Sequence, residues 1–157
     1  MCKLFRKCIA ASAAALLLAL PMTAQADAGK FTDVNPGAWY YEAVDYATDE
    51  GLFNGTGPGT FDPSGSMTRG MFVTVLANKT EGFVAGRYKD TVFSDVPAGQ
   101  WYAPPVGWAS QNKLVGGVGG GRFAPNASVT REQIAKILYD YAQQTGNDTS
   151  ADESSMA

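Results

Sequence analysis

The chain is 157 residues long, with 15 acidic residues against 12 basic ones and no histidine. Three of the basic residues, Lys3, Arg6 and Lys7, fall at the very start, so the rest is distinctly acidic and a poor match for nucleic acid or anionic lipid surfaces. Without histidine it lacks both the commonest general base and the commonest metal ligand.

Residues 1–26 read as an export signal. A basic start leads into an apolar run, Ile9 to Leu20, that is rich in Ala and Leu and too short to span a membrane comfortably. Pro21 breaks the run, and Ala24-Gln25-Ala26 supplies a Sec-type cleavage pattern, so cleavage is expected after Ala26. The expected destination is secretion to the cell wall or cell surface, with no stable membrane insertion once the signal is cut. Cys2 and Cys8 both lie in the removed part, which leaves no disulfide, thiol chemistry or Cys-based zinc site downstream.

The remainder is one unit written twice. Phe31-Thr-Asp33-Val34 returns as Phe93-Ser-Asp95-Val96, 62 positions later. At the same offset Trp39-Tyr40 matches Trp101-Tyr102, and Gly55, Gly57 and Gly59 match Gly117, Gly119 and Gly121. Phe61-Asp-Pro63 then matches Phe123-Ala-Pro125, and Thr68-Arg69 matches Thr130-Arg131. A fixed period of this kind marks two copies of one supersecondary unit, which usually must pack on each other to bury their apolar faces. The expected division is copy one at 27–80, a solvated linker at 81–92, copy two at 93–144, and a polar, disordered tail at 145–157.

Each copy reads as loop, helix, loop, helix. Tyr40, Ala43, Val44 and Ala47 form one helical stripe, and Gly51 is placed to end it. The stretch from Asn54 to Pro63 is a turn-rich loop pinned by Phe61. A second helix comes next, with Phe72, Val75, Leu76 and Lys79 on one face. In copy two, Pro104-Pro105 forces the first helix to begin at about Ala103 or Pro104. Its second helix starts with Thr130-Arg-Glu-Gln133, a capping box in form, and carries Ile134, Ile137, Leu138 and Tyr141 as an amphipathic stripe. Copy one has Met71 at the Gln133 place, so its helix is expected to rely on Thr68 alone.

Aromatic-x-Asp-Val, Trp-Tyr, Ala-Val-x-Tyr-Ala, Asn-Gly-x-Gly-x-Gly-x-Phe-x-Pro and Thr-Arg, in that order, resemble the S-layer homology pattern. Copy one carries all of it and copy two most of it, so the resemblance covers residues 31 to about 144. It implies a mostly α protein: tandem helix-loop-helix repeats packed as an incomplete pseudo-threefold helical bundle. It also implies a non-catalytic module of the bacterial cell surface, without cofactor, that binds secondary cell-wall polysaccharide, often pyruvylated, in grooves between repeats. Three repeats are usual in the family and two stand here, which makes the chain itself, or another S-layer homology protein, a second expected partner. The family motif Thr-Arg-Ala-Glu reads Thr68-Arg69-Gly70-Met71 and Thr130-Arg131-Glu132-Gln133: the arginine is kept and the glutamate lost.

The candidate carbohydrate-binding residues come from the paired positions. Arg69 and Arg131 open their second helices, where a planar guanidinium and free amides suit a carboxylate; each is equally placed for a structural pair with Asp33 or Asp95. Trp39 and Trp101 either offer a flat face to a sugar or anchor the core. Asp33 and Asp95 either accept sugar hydroxyls or cap a nearby turn. Gly57 and Gly119, with their neighbours, either admit a ligand close to the backbone or simply make turns. As a dinucleotide loop these glycines fail, because they come after a helix rather than a strand. No catalytic constellation is visible, and the repeats leave almost no chain for a catalytic domain.

Overall fold

The computed structural model describes residues 30–88, 91–147 and 149–150. The expected export segment and the tail beyond residue 150 lie outside the described residues, as do Lys89 and Asp90 of the linker. Among the described residues there are four α-helices and no strand: α1 (Tyr41–Asp49), α2 (Arg69–Lys79), α3 (Ala103–Gln111) and α4 (Arg131–Gln144). The fold is therefore mostly α, as the repeat pattern requires. No helix among the described residues is long and apolar enough to cross a membrane.

α1 starts without a side-chain cap and buries only Val44 and Thr48. The expected stripe is shifted: Ala43 is exposed, and Thr48 takes the inner place one turn beyond Val44. Its hydroxyl donates to the carbonyls of Val44 and Asp45, both at 2.9 Å, which lets a polar side chain sit inside at little cost. Gly51, at φ +67°, ends the helix as its sequence position suggests.

α2 and α4 begin alike. Thr68 accepts from the Met71 amide at 3.2 Å, and Thr130 from the Gln133 amide at 3.3 Å. The Gln133 side chain returns the bond to the Thr130 amide at 3.3 Å. Copy one departs from expectation here, because the Thr68 amide points at the Met71 sulfur at 3.5 Å. The box is closed in both copies, but by a thioether, a weak acceptor, in copy one. α3 begins at Ala103, where its two prolines fall in the first turn.

The main core is built from α2 of copy one packed against the body of copy two. Phe72, Val73, Leu76 and Ala77 of α2 meet Val106, Trp108 and Ala109 of α3, with Leu114, Phe123 and Ile137 closing the cluster. Burying each large member contributes about 1.5–3 kcal/mol. α2 is covered on two faces because α3 and the copy-two loop both rest on it, so Val73 and Ala77 are buried although the single expected stripe omits them. Lys79 of that stripe is exposed, and so is Leu138 in α4. The linker is more than a solvated strap: Phe83 meets the Trp108 ring edge-on at 5.9 Å and stacks on Tyr88 at 5.8 Å.

Candidate binding cleft

Each glycine-rich loop is tied to the start of its own repeat by one carboxylate. Asp33 accepts from the amides of Phe61 at 2.9 Å and Asp62 at 2.7 Å. Asp95 accepts from Phe123 at 2.7 Å and Ala124 at 2.8 Å. The second amide of each pair belongs to a residue with positive φ, Asp62 at +59° and Ala124 at +57°, so the carboxylate clasps the loop at its sharpest bend. The amide bonds from Phe61 and Asp62 hold the Asp33 carboxyl below its ordinary range. Burial alone would raise Asp95, but its bonds to Phe123 and Ala124, with Arg122 nearby, bring it below as well. Both aspartates therefore act as turn clasps.

The glycines serve chiefly the loop's own chain. A Cβ on Gly55 would stand 2.5 Å from the Thr60 carbonyl oxygen and 2.6 Å from the Phe31 ring; on Gly117 it would meet the Arg122 carbonyl at 2.6 Å and the Phe93 ring at 3.1 Å. These two positions allow the loop to close over the aromatic that opens each repeat. Gly57 and Gly119 are less alike: Gly119 has φ +102°, whereas Gly57 sits close to the Thr60 side chain without positive φ.

Arg69 and Arg131 share a motif but not an environment. Arg69 is 7% exposed and runs from α2 into the copy-two loop. Its Nε donates to the Phe123 carbonyl at 2.9 Å, Nη1 to Gln133 Oε1 at 3.0 Å and Nη2 to the Gly116 carbonyl at 3.2 Å. The guanidinium also lies 4.5 Å from the centre of the Phe123 ring. The first amides of α2 are used as well, Arg69 to the Ala127 carbonyl and Gly70 to the Pro125 carbonyl, both at 2.9 Å. Burial lowers the Arg69 pKa and the field of Asp95 partly restores it; the group stays charged. Arg69 thus pairs with carbonyls and an amide rather than with Asp33 or Asp95. Arg131 is exposed, and among the described residues its side chain makes no hydrogen bond or ion pair.

The indoles stand outside the core. Trp39 is 93% exposed and Trp101 56%, each edge-on to the tyrosine next to it in sequence. The tryptophan that is buried is Trp108, whose counterpart in copy one is the exposed Tyr46. Trp101 walls a cavity of about 650 Å³ beside the copy-one loop, together with Asn54, Gly57, Phe61, Met71 and Asn78. The lining includes Asp62 and no basic side chain. The structure therefore brings Trp101 and Gly57 to one cleft, puts Arg69 in the seam behind it, and leaves Trp39, Arg131 and Gly119 elsewhere on the surface. The paired sequence positions do not reveal Gln133 as a partner of Arg69, or the Phe123 and Gly116 carbonyls. Gln133 carries a signal only as a cap, and backbone carbonyls carry none.

The S-layer homology domain matches this chain twice, over residues 30–70 and 92–135. A surface-layer 125 kDa protein of Lysinibacillus sphaericus is 36% identical over 136 residues, covering 86% of this chain and 11% of the relative. An endoglucanase of a Bacillus species is 31% identical over 76% of the chain and 12% of its own length. A cellulosome-anchoring protein of Acetivibrio thermocellus is 27% identical over 56% of the chain and 20% of its own length. The chain thus corresponds to a small part of each of these relatives.

Proposed function

Because the chain belongs to the S-layer homology family, we propose that it is a non-catalytic anchoring module that holds secondary cell-wall polysaccharide of a bacterial envelope. Domains of this family anchor proteins at the cell surface, and two of its matches fill most of this chain. The anchoring relative and the surface-layer relative support the wall as the destination, and the basic-apolar start with Ala24-Gln25-Ala26 supports export with cleavage after Ala26. The endoglucanase match supports no hydrolytic role, since this chain corresponds to 12% of that enzyme.

The observation that carries the reading is the cleft at the junction of the copies, walled by the half-exposed Trp101. An indole face suits the C–H face of a pyranose ring, and Asn54, Thr74 and Asn78 around it can exchange hydrogen bonds with hydroxyls. With Asp62 in the lining and no basic side chain, the cleft suits neutral rings of the polymer better than a pyruvate carboxylate. Arg69 acts indirectly, by fixing the seam behind the cleft.

Retention of the purified protein on immobilised wall polysaccharide tests this. Polymer with its pyruvate ketals intact and polymer stripped of them should both retain the protein, and Trp101→Ala should lower retention at unchanged thermal stability. No retention by either polymer, with a known anchoring module retained in parallel, would sink the proposal.

A further inference from the structure

The cleft of copy one and the seam of copy two are the same surface, open in one place and filled in the other. In copy two, the start of α2 is received by Gly116, Phe123, Pro125, Ala127, Val129 and Gln133, through the contacts of Arg69 and its amides and a bond from the Val129 amide to the Met67 carbonyl at 3.1 Å. Moved back by the repeat offset, these positions are Asn54, Phe61, Pro63, Gly65, Met67 and Met71. All six line the open cavity. The donor side is repeated as well. Thr130-Arg131 stands where Thr68-Arg69 stands, and the Arg131 side chain is exposed with no bond among the described residues.

We propose that the copy-one cleft docks the Thr130–Arg131 helix start of a second copy of this chain, joined head to tail. The incoming guanidinium reaches the carbonyls of Phe61 and Asn54 and stacks on the Phe61 ring, as Arg69 does with Phe123 and Gly116. The amides of Arg131 and Glu132, free at the first turn of α4, meet the carbonyls of Gly65 and Pro63.

The exposure of Trp39 fits the same arrangement. Trp101 shares the cavity wall with Met67, Met71 and Thr74 of the preceding copy. Trp39, its counterpart, is 93% exposed. Docking brings it beside Val129, Gln133 and Lys136, the counterparts of those three. The contact is heterologous, so it closes into a ring or continues as a chain of molecules.

Two differences make this junction weaker than the one inside the chain. Met71 replaces Gln133, so the guanidinium loses its side-chain acceptor. Glu132 replaces Gly70, where a Cβ stands 3.1 Å from the Pro125 carbonyl oxygen and must push its neighbour back slightly. Reversing either difference should tighten the contact.

Sedimentation of the purified protein without polymer tests the proposal. The expected result is a mass that rises above the monomer with concentration. Arg131→Glu should weaken association about tenfold or more, the loss of charged hydrogen bonds. Asn54→Trp, which fills the mouth of the cleft, should do the same, while Met71→Gln and Glu132→Gly should strengthen it. Each blocked variant has one intact face, so mixing Arg131→Glu with Asn54→Trp should restore a single junction and yield a heterodimer. Circular dichroism and thermal melts confirm that the variants fold. A monomer throughout the micromolar range, association unchanged by Arg131→Glu, or a mixture that stays monomeric overturns the proposal. The helix start and a sugar ring would fill the same cavity, so docking and polymer compete for it. With no polymer present, sedimentation reads the docking alone: a strictly monomeric protein that still binds polymer refutes the docking and leaves the anchoring in place.

Discussion

Arg69 and Arg131 occupy the same place in the same repeat, yet one is 7% exposed and holds three acceptors while the other is solvated. The difference lies in the surface that backs each helix start, not in the motif. Behind α2 stands the loop of copy two; among the described residues no loop receives the Arg131 side chain at the start of α4. The loops show the complementary contrast, with Phe123 fully buried and Phe61 only partly so. In this repeat the arginine is the element that one copy lends to the next. Its environment is therefore decided by the neighbour.

The sharpest way to break the comparison is to truncate both arginines. Arg69→Ala leaves the carbonyls of Phe123 and Gly116 without their donor and uncovers the Phe123 ring. It should cost about 3 kcal/mol or more. Arg69→Lys keeps the charge but not the planar fork, and should fall between it and wild type. Arg131→Ala should stay within about 0.5 kcal/mol of wild type in dilute solution, where no second copy covers it. Denaturant unfolding of the three variants gives the order directly, and equal losses at the two sites would refute the asymmetry.

The two aspartate clasps give a smaller contrast. Asp95 ties down the buried loop, so Asp95→Ala should cost about 1–3 kcal/mol by leaving the Phe123 and Ala124 amides unpaired. Asp33 makes the matching bonds in the open loop, where water can replace it. Asp33→Ala should therefore show mainly as faster amide exchange at Phe61 and Asp62, with a smaller loss of stability. Acid should act on both. Each carboxyl lies below its ordinary range in the folded chain, so folding favours the ionised form. The stability they confer is complete above about pH 4 and is lost as pH falls through their lowered values. Unfolding free energy measured through that range should fall on the acid side, and by less in Asp95→Ala than in wild type.

How much of this is visible in the sequence depends on whether a feature is local. The helix starts are local: Thr68 and Thr130 announce themselves, and Pro104-Pro105 fixes the start of α3. The aspartate clasps are visible as one of two options, because Asp before Val in a loop suits a cap as well as a ligand. The seam is not local. Nothing near Val73 or Ala77 marks them as buried, because α3 and the loop that cover them belong to the other copy, far along the chain. The tryptophans mislead in the other direction: large indoles favour the interior, yet Trp39 and Trp101 stand out in solvent while Trp108, at the place of the exposed Tyr46 in copy one, takes the core place. Met71 shows that a cap can be closed by an atom the residue-type rules leave out.

The smallest expected effect separates the copies at a single backbone bend. Asp62 and Ala124 hold the same left-handed conformation at matching positions, and the clasping aspartate grips the amide of each. An aspartate tolerates that conformation better than an alanine, whose Cβ crowds the backbone with no compensating bond. Glycine removes the crowding but adds freedom to the unfolded chain, so the gain is a difference between the two. Ala124→Gly should therefore stabilise the protein by about 0.5–1 kcal/mol. Asp62→Gly should be close to neutral, since the side chain it removes was suited to the bend. A melting temperature that rises for Ala124→Gly and not for Asp62→Gly supports strain carried only in copy two, at the bend beside the buried Phe123. A fall for Ala124→Gly would mean that the Asp95 clasp and the seam already hold the bend without strain.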